Sequence, residues 1–141
     1  MLKPITIPFL SVDKVVPVLK FAFGGREYCG IVDTGAEVTI FGDAFKNYES
    51  CEKSRELNLV AFSGEKTSPT KQMAVTLDFF GLRGKRRSME MIGITSDLSI
   101  LQDHFKKAGI EPSLQLIIGA DMLKKYQVDI NFERKKIYFQ L

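Results

Sequence analysis

Tyr28-Cys29-Gly30-Ile31-Val32-Asp33-Thr34-Gly35-Ala36-Glu37-Val38-Thr39-Ile40-Phe41 is the stretch that decides the fold of this chain. Tyr28 to Val32 is an apolar approach with the character of a buried strand, and Val38 to Phe41 is an apolar exit. Between them a carboxylate stands where the strand turns, with a hydroxyl and a glycine directly behind it. Asp and Gly are common in turns, so Asp33-Thr34-Gly35 gains its weight from these flanks. Ile31 and Val32 anchor the strand, and Thr34 supplies a hydroxyl that a backbone partner can fix. Gly35 lets a backbone amide approach the carboxylate, and Ala36 keeps the cleft wall small. Such a setting holds an acid rigidly at the floor of a cleft. Hydrolysis by carboxylates needs one group to take a proton while another gives one, and there is one such segment per chain.

The composition narrows the setting. The 141 residues are 45% hydrophobic and 26% charged, as in ordinary globular proteins, and the length fits one domain over residues 1–141 with a core that needs no staples. The net charge of +3 is a weak excess. Its densest run, Gly81-Leu82-Arg83-Gly84-Lys85-Arg86-Arg87, lacks aromatic interleaving and reads as a solvated turn, so no nucleic-acid partner is expected. The two cysteines, Cys29 and Cys51, and the single His104 form neither a disulfide framework nor a metal-ligand set. Neither a secretory signal nor a run of roughly 20 apolar residues for a membrane span is seen. A cytoplasmic protein with no membrane partner is the expectation.

Outward from the acid, the chain reads as short strands between turns. Val15 to Phe23 and Arg26 to Val32 are joined by the hairpin signal Gly24-Gly25. Gly42 to Glu56 is irregular, with a helical turn near Ala44 to Tyr48. Leu57 to Phe62 and Met73 to Phe80 flank a polar tip, Ser63 to Pro69, and Ser88 to Ile94 follows the turn Gly81 to Gly84. Leu98 to Ala108 is the strongest helix, with Ser96 or Asp97 as its cap and Gly109 just beyond its end. Leu114 to Ile118 is a buried strand that turns through Gly119-Ala120-Asp121 into a short helix. Val128 to Phe132 and Ile137 to Leu141 form a closing hairpin. The Met73, Met89 and Met91 set fills core rather than binding a metal.

Ile31-Val32-Asp33-Thr34-Gly35-Ala36 and Leu116-Ile117-Ile118-Gly119-Ala120-Asp121-Met122-Leu123, in that order and separation, resemble the two motifs of the retropepsin-like aspartic proteases. The resemblance covers roughly residues 15–141 and is closer to the cellular than to the retroviral branch. It implies a mostly-β fold, a closed single-lobe barrel of the acid-protease type with one or two short helices. By the same resemblance Asp33 is the catalytic aspartate, and Thr34 clasps its counterpart across a two-fold axis beside Gly35. Ala36 and Glu37 line the floor and offer backbone groups to an extended peptide. The Phe62 to Pro69 tip is a flap hinged at Gly64. No metal or organic cofactor is implied. The partners are a peptide or protein substrate and a second copy of the chain, so an aspartic endopeptidase active as a homodimer is expected.

Three departures from the family pattern stand out. Ala120 occupies the position where retroviral members often carry an arginine, so a salt bridge that would steady Glu37 is absent or replaced. Insertions lie at Asn47 to Glu56 and Asp97 to Pro112. The terminal strands either interleave between protomers or pair within one. The competing reading is a non-catalytic peptide-binding or dimerisation module that keeps the protease fold. At single positions, Asp33 as a plain turn residue and Asp121 as a helix-start residue balancing the dipole are the simpler alternatives.

Overall fold

A computed structural model describes residues 4–9, 11–13, 16–48, 55–57 and 70–140. The strands in chain order are β1 (Pro4–Pro8), β2 (Ser11–Asp13), β3 (Val16–Phe23), β4 (Arg26–Val32), β5 (Thr39–Phe41) and β6 (Arg55–Leu57). They continue as β7 (Thr70–Phe80), β8 (Arg86–Thr95), β9 (Leu114–Ile118), β10 (Asp129–Asn131) and β11 (Lys136–Gln140). Two α-helices, α1 (Ser99–Lys107) and α2 (Ala120–Lys125), and two 3-10 turns, Asp43–Tyr48 and Leu82–Gly84, complete the described elements.

Gly24 and Gly25 both adopt positive φ, 59° and 79°, so β3 and β4 are joined by the tight turn that matches the twist of a hairpin. The main sheet runs β2-β3-β4-β9-β5-β8-β7-β6, and β3 also pairs with β7 through Phe21↔Phe79 and Ala22↔Asp78. That extra pairing closes β3, β4, β9, β5, β8 and β7 into a barrel. With about half the residues in strands (51%) and few helices, this is the mostly-β closed barrel that the sequence implied. Closure pairs β3 with β7, leaving only the short strands β2 and β6 at the margins of the sheet.

Phe21, Phe41, Phe45, Leu77, Phe79, Met89 and Met91 fill one core and are fully or almost fully buried. The three methionines, Met73 with the other two, are core filling as expected. A second, smaller core lies under α1, where Leu98 and Phe105 meet Val18, Cys29, Ile31, Leu114 and Ile117. Thus β9 is buried on both faces, Leu116 and Ile118 in the first core and Ile117 in the second. This explains why its sequence is mostly apolar rather than alternating, its one polar residue, Gln115, being buried and hydrogen-bonded to Ala44 and Asp43. The Asp97 to Pro112 insertion is therefore structural. Its helix begins one residue later than the sequence suggested, at Ser99, yet Asp97 still accepts a hydrogen bond from the Ser99 amide at 2.9 Å.

The terminal strands pair within one protomer. A separate three-stranded sheet has the order β1-β11-β10, with Ile5↔Phe139 and Ile7↔Ile137 in register. Ile7, Ile137 and Phe139 are fully buried in the main core. Of the two arrangements open from the sequence, the intramolecular one is found. The segment Phe62 to Pro69 expected as a flap, Gly64 expected as its hinge, Cys51 and most of Asn47 to Glu56 lie outside the described residues.

Candidate active site

Asp33 stands at the end of β4, where the chain has to cross its neighbour. In the sheet β9 lies between β4 and β5, so the connection from Asp33 to Val38 passes over the C-terminal end of β9. β4 and β9 run parallel, with Ile31↔Ile117 and Val32↔Ile118 paired. The Asp33 amide donates to the Ile118 carbonyl at 3.0 Å, extending that ladder by one bond. The chain leaving β9 must then pass directly under the loop. A Cβ on Gly119 would lie 2.5 Å from the Val38 oxygen and 2.9 Å from the Ala36 oxygen, both backbone atoms. Only glycine fits there.

The loop is tied down from below and within. Ala120 N–H donates to the Ala36 carbonyl at 2.7 Å, and Asp121 N–H donates to the Glu37 carbonyl at 3.3 Å. Within the loop, Gly35 N–H donates to Asp33 Oδ1 at 2.9 Å and Ala36 N–H to the Asp33 carbonyl at 3.2 Å. The glycine next but one to the acid thus does what the sequence suggested: it brings an amide onto the carboxylate. Asp33 is half-buried, while Thr34 and Gly35 at the apex are exposed. Ala36 is half-buried, and Glu37 is exposed. The amides of Glu37 and Val38 have no hydrogen-bond partner among the described residues, whereas the Ala36 and Glu37 carbonyls already accept from the first turn of α2.

A polar pair, buried Thr39 and half-buried Asp121, completes the support. Thr39 is fully buried. Its Oγ1 donates to Asp121 Oδ1 at 2.8 Å and accepts from the Gly119 amide at 3.1 Å, and its own amide donates to Asp121 Oδ2 at 3.2 Å. Asp121 Oδ1 also accepts from the Met122 amide at 2.8 Å. Asp121 therefore does more than balance a helix dipole: it clamps the far end of the Asp33 loop to the β9–α2 turn. At the position after Ala120, Asp121 braces the loop instead, through Thr39 and through its own amide on the Glu37 carbonyl. The signal in the sequence was a lone polar residue, Thr39, inside the apolar run Val38 to Phe41.

The other singled-out residues lie elsewhere. Cys29 is fully buried in the second core, and burial pushes its thiol up to about 12. His104 is exposed on α1 and Asp129 is exposed on β10. No group of three or more His, Cys, Asp and Glu residues is placed to hold a metal ion among the described residues. No helix among them is long and apolar enough to cross a membrane.

No family model and no curated protein matches the chain. Solved structures do. The retroviral protease-like domain of Ddi1 from Leishmania major matches at 13% identity and a TM-score of 0.45, over 92% of this chain and 96% of that one. A retropepsin-like aspartic protease from Rickettsia conorii matches at 13% identity and a TM-score of 0.45, over 99% of this chain and 91% of that one. The likeness extends no further than the fold, and carries neither activity nor assembly to this chain.

Proposed function

We propose that the protein is an aspartic-type endopeptidase that works as a homodimer, each protomer giving Asp33 to a shared dyad. The observation that carries this is the Asp33 loop itself. It holds one carboxylate by a backbone amide, braced from beneath by the β9–α2 turn, with its apex at Thr34 and Gly35 open at the surface. An acid fixed this firmly on an uncovered face fits a site completed by a second copy. Two carboxyls about 3 Å apart cannot both ionise, so they share a proton and their apparent pKa values separate. The ionised Asp33 takes a proton from water as the water oxygen attacks the peptide carbonyl carbon. The protonated Asp33 gives its proton to the leaving nitrogen as the C–N bond breaks.

Substrate binds as an added extended strand. Its carbonyl oxygens accept from the amides of Glu37 and Val38, the backbone donors left open in the loop. Ala36 contributes the wall of the floor rather than its carbonyl, which α2 has already taken up. Gly64 is assigned to a flap that closes over the peptide, and Thr34 to the contact across the two-fold axis.

The test is a peptide-library digest at acidic and neutral pH, with sedimentation run alongside. Asp33→Asn and Asp33→Ala are expected to remove all cleavage while circular dichroism and thermal melting stay at the parent values. Undiminished cleavage by a folded Asp33→Ala protein would sink the proposal. A folded, strictly monomeric protein that cleaves nothing would favour the non-catalytic module instead.

A further inference from the structure

The turn between β7 and β8 carries a chemistry opposite to that of the acid. The Phe21↔Phe79 and Ala22↔Asp78 pairings are antiparallel, so β7 runs away from the Gly24-Gly25 hairpin and the turn Gly81 to Lys85 lies beyond its end. At this turn a cavity of about 270 Å³ is lined by Ile5, Thr6, Leu82, Arg83, Lys85 and Arg87, together with Gly81.

Three features make this cavity more than a solvated charge run. No carboxylate lines it, and none of Arg83, Lys85 and Arg87 forms a salt bridge among the described residues. Asp78, on the strand that leads into the turn, accepts from Ser88 Oγ at 2.6 Å. The turn is also built. Gly81 N–H donates to the Lys85 carbonyl at 2.7 Å, and Lys85 N–H donates to the Leu82 carbonyl at 3.2 Å. Arg83 is held at φ 58°, a left-handed conformation uncommon outside glycine. Finally, the lining mixes cations with the apolar side chains of Ile5 and Leu82, and Leu82 is 40% exposed.

We propose that this cavity is a docking site for an acidic, partly apolar segment of a partner protein: carboxylates pair with Arg83, Lys85 and Arg87 while an aliphatic side chain covers Ile5 and Leu82. A nucleic-acid strand fits less well, because single strands bind through aromatic stacking platforms along a basic track, and the lining holds no aromatic residue. The charges set approach and orientation, and the apolar floor adds area that the charges alone lack.

The test is fluorescence anisotropy on the full chain with a labelled peptide of alternating Glu and Leu. Its Gln-for-Glu counterpart and a labelled single-stranded oligonucleotide serve as comparison probes. The acidic peptide is expected to bind at least about tenfold more tightly than either. Lys85→Gln/Arg87→Gln, both exposed side chains, is expected to weaken that binding by about tenfold with an unchanged melting temperature. A second variant, Leu82→Ser, is expected to weaken it while leaving its salt dependence intact. Equal binding of the Gln peptide, tighter binding of the oligonucleotide, or indifference to the double substitution each overturns the proposal. The readout needs no turnover, so its failure leaves the reading of Asp33 untouched.

Discussion

Replacing Thr39 by valine tests whether the Asp33 loop is held from behind. Valine keeps the volume and the β-branched shape of threonine but deletes the hydroxyl. Two hydrogen bonds go with it: the donation to Asp121 Oδ1 at 2.8 Å and the acceptance from Gly119 N–H at 3.1 Å. A bond to a charged acceptor contributes roughly 1.5–3 kcal/mol, and a buried amide left without a partner costs about 1–3 kcal/mol. Asp121 keeps its bonds from the Thr39 and Met122 amides, which places the expected loss in the lower half of the summed range, about 2.5–4 kcal/mol. With a urea slope of about 2 kcal/mol per molar, the unfolding midpoint falls by about 1–2 M. Thr39→Ser keeps the hydroxyl and gives up one methyl, so it should recover most of the loss. Equilibrium urea unfolding by fluorescence or circular dichroism measures all three proteins. A Thr39→Val midpoint within about 0.25 M of the parent, or a serine variant no better than valine, would show that the clamp does not hold the loop.

Cys29 gives a prediction on the alkaline side. Its thiol, raised by burial from 9.0 to about 12, stays protonated in the folded chain while the unfolded chain ionises. The unfolded state therefore binds fewer protons above pH 9, and stability falls by up to about 1.4 kcal/mol per pH unit between the two values. In a Cys51→Ser background, a thiol reagent at pH 8 should leave native Cys29 unmodified and label it only in denaturant; prompt labelling of the native protein would contradict its burial. Ending the chain at Arg134 removes β11 and with it the fully buried Ile137 and Phe139. Each side chain carries about 1.5–3 kcal/mol of burial, and β1 and β10 lose their common partner. Against a typical total of about 5–15 kcal/mol, near-UV circular dichroism should show lost tertiary packing. A truncated chain with a native spectrum would mean that the terminal sheet is dispensable.

Much of the fold was legible because local chemistry and tertiary structure agree. Gly24-Gly25 specifies its hairpin through positive φ, and the alternation of β11 announces a half-buried strand, whereas β3 is buried on both faces. Gly109 ends α1 in the left-handed conformation, at φ 77°. The acid, its glycine and the strand before them were equally plain. Less legible was what stands behind them. Thr39 and Asp121 are 82 positions apart, and no periodicity or spacing rule connects residues at that distance. Their meeting follows from β9 lying between β4 and β5, which only the closed barrel decides.

The sequence by itself determined most of the barrel strands, though not β2 and β6, the hairpin at Gly24-Gly25, and that a single carboxylate is presented at the turn after β4. Backbone preferences and apolar patterning act over a few residues, so they can be read from a few residues. The tertiary structure decided the rest: that the termini pair with each other inside one protomer, that Gly119 passes beneath Ala36 and Val38, and that Arg83, Lys85 and Arg87 share a cavity with Ile5 and Thr6 of β1. These depend on strand order and barrel closure. Both are set by how the whole set of buried faces packs together, a global property that no local stretch of chain encodes.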